Sequence, residues 1–304
     1  MVSMLARKQK PSAPAGNTLH GQAWRNSLKG YLFILPSLAG CAIFVVIPFA
    51  QVIWRSLTDG ITQRFVGLAH YAEIFRNQAF MQAAGNTLKF MGVCVPLLLL
   101  LSLMLAILLD REVLGRAGLR AAFLVPMAVP VASVALLWQV LFHENGVMNN
   151  VLEAFGLDRI EWMRTNWAFA CFVVSYIWKN IGYNMVLFIA GLSNISPSYY
   201  EAAAVDGATT RQQFWHITLP CLKPVFFTVT VLSMLNSFKA YREVYLVAGN
   251  YPHGSIYLIQ HTFNNWFTAM EIEKLSAGAT VTAAVILALV GVLSRAWRAE
   301  ASVT

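Results

Sequence analysis

An all-α integral membrane protein is the fold class this sequence predicts, and three observations predict it. Of the 304 residues, 58% are hydrophobic and only 12% charged, with a mean hydropathy of +0.58; a soluble domain carries roughly 25% charged residues. Six apolar runs, near 31–53, 87–109, 121–142, 168–192, 225–247 and 276–297, each supply the ~20 residues that a spanning helix needs. The basic residues flank these runs instead of clustering, so the formal net charge of +8 reflects orientation in a bilayer and implies no nucleic-acid partner.

Residues 1–28 are polar, contain Pro11, Pro14, Gly16 and Gly21, and carry Arg7, Lys8, Lys10 and Arg25, the pattern of a disordered basic tail. The first apolar run is too long for a signal-peptide core and lacks a small-residue cleavage site, so it is an uncleaved span. The fifth is the weakest, because Lys239, Arg242 and Glu243 interrupt it. The six spans occupy a domain over residues 29–298, and 299–304 form a short C-terminal tail.

Six spans put both termini on one side. That side holds Arg7, Lys8, Lys10, Arg25, Lys29, Arg111, Arg116, Arg120, Arg211, Lys223, Arg295 and Arg298. The opposite loops hold half as many: Arg55, Arg64, Arg76, Arg159, Arg164 and Lys274. The bias predicts cytoplasmic termini and a cytoplasmic loop between the fourth and fifth spans.

That loop, 196–224, is too polar to enter a bilayer. Ser196 and Pro197 suit a helix start, with Ser198 and Glu201 as a second capping choice. Gly207 suits the left-handed turn that ends a helix. Thr209 with Gln212, or Thr210 with Gln213, can start another, which Pro220 would stop. The expectation is two short helices bent at Gly207, the first with an alanine face and the second exposing Phe214, Trp215 and Ile217. By itself this could be an ordinary loop helix lying on the bundle.

The spacing is more specific than that. Glu201, Ala202, Ala203, Gly207, Ile217, Leu219 and Pro220 fit EAA-x3-G-x9-I-x-L-P, so the stretch resembles the EAA loop of ABC-importer permeases. Phe65-Val66-Gly67-Leu68, Tyr71, Phe75, Asn86-Thr87, Pro126, Pro130, Trp138, Gly146, Asn149, Trp178 and Gly182 extend the resemblance to the sugar-importing branch, over about 30–298. Two positions depart from the family: Arg211, where an aromatic is common, and Tyr241-Arg242-Glu243 followed by Gly249-Asn250-Tyr251-Pro252, where an acidic residue and a Gly-Gly-Pro turn are common.

The resemblance implies a bacterial inner-membrane permease subunit that carries a sugar or oligosaccharide by alternating access. Implied partners are a second homologous permease, two ATP-binding cassette ATPases, an extracytoplasmic sugar-binding protein and membrane lipid. It further implies that Glu201, Ala202, Ala203, Asp206, Gly207, Ala208, Phe214, Ile217, Leu219 and Pro220 couple to the ATPase. No GK dipeptide occurs, so no P-loop is present, and ATP and Mg are expected on the partner ATPase with no cofactor on this chain. HExxH, GxSxG and GxGxxG are also absent, and no CxxC joins Cys41, Cys94, Cys171 or Cys221, which read as buried free thiols.

Polar groups inside the spans are the other feature. A charge facing lipid costs at least ~2.5–3.5 kcal/mol, so these groups should face the bundle interior or a wet cavity. In the fourth span Tyr176, Asn180 and Asn184 share a face by i,i+4 spacing, with Lys179 and Tyr183 beside them. In the fifth, Asn236, Lys239 and Glu243 share a face, flanked by Tyr241. These nine residues read as a substrate pathway, with Trp178, Tyr183 and Tyr241 able to stack on sugar rings. A structural reading stays open: Lys239 paired with Glu243 one turn away, or amides joining helices. A permease for a phosphorylated polyol such as glycerol 3-phosphate, with Lys179, Lys239 or Arg242 facing the phosphate, is the alternative within the class. A stand-alone secondary transporter or a membrane enzyme is the alternative outside it.

Overall fold

The computed structural model describes residue 31, residues 33–110 and residues 115–301. The tail read over 1–28 lies outside them. The chain divides into two units, one ending at Trp54 and the other spanning Arg55–Thr304. The first apolar run forms α1 (Phe33–Ser56), with a wide π turn at Ala42–Val46.

In the second unit, α2 (Ala69–Arg76) leads into α3 (Gln78–Asp110). Next come α4 (Arg116–Ala128), α5 (Val131–Leu141), α6 (Val147–Ala154) and α7 (Trp167–Ser193). A short α8 (Pro197–Val205) precedes α9 (Thr210–Cys221) and α10 (Lys223–Ala248). Then α11 (Ile259–Thr268) and α12 (Ile272–Ala301) complete the chain. Among the described residues the only extended pairing is an isolated bridge between Thr58 and Phe65.

The core lies along α3 and α7. Phe90 stacks on Phe172 with centroids 4.2 Å apart, and Cys94, Leu98 and Tyr176 are buried beside them. Towards the other end of α7, Met185 and Phe188 pack with Leu103, Ala106, Leu222 and Val229. Gly182 lets α4 approach: a Cβ there would overlap the carbonyl of Phe123.

Four described helices are long and apolar enough to cross a membrane, and two bent pairs bring the number to as many as six. The third predicted span is one of these pairs: α4 and α5 meet at 95°. Pro130 disfavours helix at the residue before it, and Val129 is extended (φ −72°, ψ 131°). The fifth, expected at 225–247, lies within α10, which pairs at 62° with the loop helix α9. Its charged stretch tightens to a 3₁₀ turn at Phe238–Ala240, around Lys239. The last helix runs to Ala301, beyond the expected boundary at 298. Cys94 and Cys171 are buried as expected, but Cys41 and Cys221 are exposed. Three short helices, α2, α6 and α11, were not anticipated, being too brief for a periodicity argument.

Candidate functional site

The loop after α7 folds by local rules. Pro197 takes the first turn of α8, where its missing N–H costs nothing. Gly207 adopts φ +79°, and two backbone bonds close the helix end: Ala208 N–H to Ala203 O at 2.8 Å and Gly207 N–H to Ala204 O at 3.1 Å. This paired closure satisfies the last carbonyls, and it needs a residue at ease in the left-handed region. Thr209 then caps α9 with Gln212: the Thr209 N–H donates to Oε1 at 2.8 Å, and the Gln212 N–H donates to Thr209 Oγ1 at 3.4 Å. The alternative Thr210–Gln213 box does not form; Gln213 Nε2 donates to Ala208 O instead.

Two expectations need correction. Pro220 does not stop α9. A π turn at Phe214–Thr218 widens the ladder just before it, which relieves the clash a proline makes with the preceding turn, and the bend falls at Leu222. Phe214 and Ile217 are not exposed. With Tyr200 they pack on the core around Phe188 and Leu222, and the Tyr200 and Thr218 hydroxyls lie 2.9 Å apart. Trp215 stays exposed, as do Glu201, Ala202, Val205 and Asp206, while Ala203, Ala208 and Leu219 are half-buried. The loop is therefore tied down on one side and open on the other. Among the described residues a Cβ on Gly207 would meet nothing within 4 Å, so φ alone restricts that position there.

The polar groups of the spans are drawn together by α7 and α10. Lys179 Nζ lies 2.5 Å from Glu243 Oε1, with both side chains mostly buried. Lys239 is not Glu243's partner; it donates to Asn236 Oδ1 at 3.1 Å, and being exposed it leaves Glu243 to the nearer helix. Asn184 is buried and donates to Ser233 Oγ at 2.8 Å, whereas Asn180 donates to Tyr176 O in its own helix. Tyr183 is half-buried, and Tyr241 contacts the Tyr245 and His261 rings. Tyr176 is buried against Phe90. Its hydroxyl, Glu243 Oε2 and Trp138 Nε1 are buried without a hydrogen-bond partner.

Sequence reasoning missed Ser233, a serine with no distinguishing neighbour, and His261. The latter is fully buried, accepts the Leu258 N–H at 3.0 Å, and is pushed down to about 4 by burial, so it is neutral at physiological pH. At the end of the bundle remote from the α8–α9 loop, buried Asn149 ties a second loop together. Its Oδ1 accepts from Trp162 Nε1 at 2.9 Å and Ile160 N–H at 3.1 Å, and its Nδ2 donates to Glu144 O at 2.8 Å. Among the described residues no three His, Cys, Asp or Glu side chains converge as a metal site.

Residues 98–299 match the family described as binding-protein-dependent transport system inner membrane component. The trehalose/maltose transport system permease protein MalF of Thermococcus litoralis is 31% identical, over 87% of this chain and 92% of its own. The lactose transport system permease protein LacF of Rhizobium radiobacter is 31% identical, over 89% and 95%. The sn-glycerol-3-phosphate permease protein UgpA of Salmonella typhimurium is 30% identical, over 85% and 90%. Among solved structures, a bacterial ABC transporter that imports alginate superposes with a TM-score of 0.79 at 24% identity, over 92% of this chain and 98% of that one. That likeness speaks to the fold.

Proposed function

Because the chain belongs to the binding-protein-dependent transport system inner membrane component family, we propose that it is the transmembrane subunit of an ATP-driven importer for a sugar or oligosaccharide. The observation that carries the coupling role is the α8–α9 loop, anchored by Tyr200, Phe214 and Ile217 and open at Glu201, Val205, Asp206 and Trp215. A rigidly held, exposed helix pair can be pushed by a partner and pass that motion to α7 and α10. Glu201 anchors the loop to a separate ATPase, which holds ATP and Mg, and Gly207 makes the bend.

Alternating access then turns the pathway between the two faces of the inner membrane. The termini and this loop lie on the cytoplasmic side, as the basic bias supports. A second permease completes the pathway, two ATPases drive it, and an extracytoplasmic binding protein delivers the sugar. The pathway residues are Lys179, Asn180, Tyr183, Asn236, Lys239, Tyr241 and Glu243, with Tyr176 and Asn184 holding the helices behind them. Maltose, trehalose and lactose appear in the names of similar permeases, which supports a neutral saccharide.

A phosphorylated polyol is the second reading, favoured by the similarity to the glycerol-3-phosphate permease. The charge arrangement weighs against Lys179 as the phosphate ligand. Lys179 is neutralised by Glu243, so a phosphate would have to compete with a carboxylate already in place. The test is ATP-dependent uptake by the complete complex of radiolabelled maltose, trehalose, lactose and glycerol 3-phosphate. Saccharide uptake is the expected result, and uptake of glycerol 3-phosphate alone moves the assignment to the second reading.

A further inference from the structure

We propose that the cleft where α5 and α10 end and α7 begins is an outer binding subsite for a saccharide. The proposal rests on the importer reading and extends it to a place on this chain remote from the coupling loop. The cleft encloses about 370 Å³, within the ~300–1,000 Å³ typical of small-molecule sites.

Its lining suits a sugar. Gln139 donates its amide N–H groups to Leu246 O at 3.1 Å and Val247 O at 3.2 Å, which leaves its carbonyl oxygen to accept from a hydroxyl. The Glu161 and Arg164 side chains are exposed and form no hydrogen bond or ion pair among the described residues. A carboxylate and a guanidinium offer paired acceptors and paired donors to neighbouring hydroxyls. Between them stands Trp162, whose indole N–H is held by Asn149 Oδ1 at 2.9 Å and whose ring packs on Phe142 at 5.9 Å. The indole, which also meets the Trp167 ring at 5.9 Å, is thus fixed before a ligand arrives, which lowers the entropic cost of binding.

The cleft also has a direction. Phe142, Met163 and Val247 line it and equally line a smaller cavity of about 20 Å³ beneath. Glu243 and Trp138 form part of that inner wall, and Glu243 Oε2 and Trp138 Nε1 are buried without a hydrogen-bond partner among the described residues. The inner cavity has room for about one water-sized group, so a sugar ring stays in the cleft until the shared wall moves. A saccharide bound outside is therefore one wall away from Glu243 and its partner Lys179.

The experiment uses the complete complex in nanodiscs, without the binding protein. Saturation-transfer NMR reports binding of maltose, trehalose and lactose to the wild type and to the double variant Glu161→Ala, Arg164→Ala. Both positions are exposed, so the variant should assemble. The expected result is saturable binding that weakens about tenfold in the variant, the effect of losing one or two hydrogen bonds, with the binding protein's docking affinity, read by surface plasmon resonance, unchanged. Equal binding in both forms overturns the subsite. So does weakened docking with sugar binding intact, which makes the cleft a protein-binding surface. If the wild-type complex imports saccharide yet shows no binding here, the subsite falls and the importer reading stands. If it imports no saccharide, the importer reading itself falls.

Discussion

The α8–α9 loop and the α7–α10 contact both hold residues proposed to carry function, yet they are built on opposite principles. In the loop the bonds that end one helix and start the next join residues within five positions of each other: Ala208 to Ala203, Gly207 to Ala204, Thr209 to Gln212. Between the spans the decisive bonds join distant residues, Lys179 to Glu243 and Asn184 to Ser233. The loop leaves one side open and keeps its anchors in the core, whereas the spans hold Lys179, Glu243, Asn184 and Ser233 between helices. Local capping rules can therefore specify the first region, while the second exists only after two helices have packed.

Two glycines give the largest and the smallest expected effects. Gly182 needs space: a Cβ there would drive into the Phe123 backbone, which cannot move aside as a flexible side chain could. Gly182→Leu should cost at least ~3 kcal/mol and abolish recovery of assembled complex, measured by co-purification of the ATPase with the permease. A variant that assembles normally would show that α4 and α7 are not closely packed.

The Lys179–Glu243 pair comes next. Glu243→Ala leaves an ammonium largely buried and unpaired, which should cost ~3–5 kcal/mol. The double variant Lys179→Met, Glu243→Met should recover much of that loss, because no charge remains to be orphaned. A double-mutant cycle from thermal unfolding of the purified complex measures the coupling. Additive single effects would mean that the pair does not bridge the helices.

Gly207 needs only its φ, since a Cβ there meets no neighbour among the described residues. Gly207→Ala should cost roughly 1 kcal/mol in helix-end stability, and Gly207→Asn less, because asparagine tolerates the left-handed region. Hydrogen exchange across α8 reads this effect. Coupled ATP hydrolysis in the same variants shows whether a partner approaches the glycine: a defect in Gly207→Ala far larger than the exchange change would place a surface against it. Normal coupling even in Gly207→Val would remove the loop from the transmission path.

By itself the sequence determined the all-α membrane class, the positions of the apolar helices, and the two-helix loop with its left-handed glycine and a threonine cap at 209 or 210. These follow from apolar length and from bonds among near neighbours, which residue order encodes directly. Pro130 even carried the signal for the broken third span, since a proline constrains the residue before it. Tertiary structure alone decided the rest. Whether Phe214 and Ile217 face solvent depends on a core assembled from α3, α7 and α10. Which acid Lys179 meets depends on the rotation of α10 against α7, so the near choice of Lys239 for Glu243 fails. The cleft around Trp162 exists because Asn149 gathers a loop from both sides. Side-chain partners across helices are fixed by packing, and packing is not a property of any one stretch of chain.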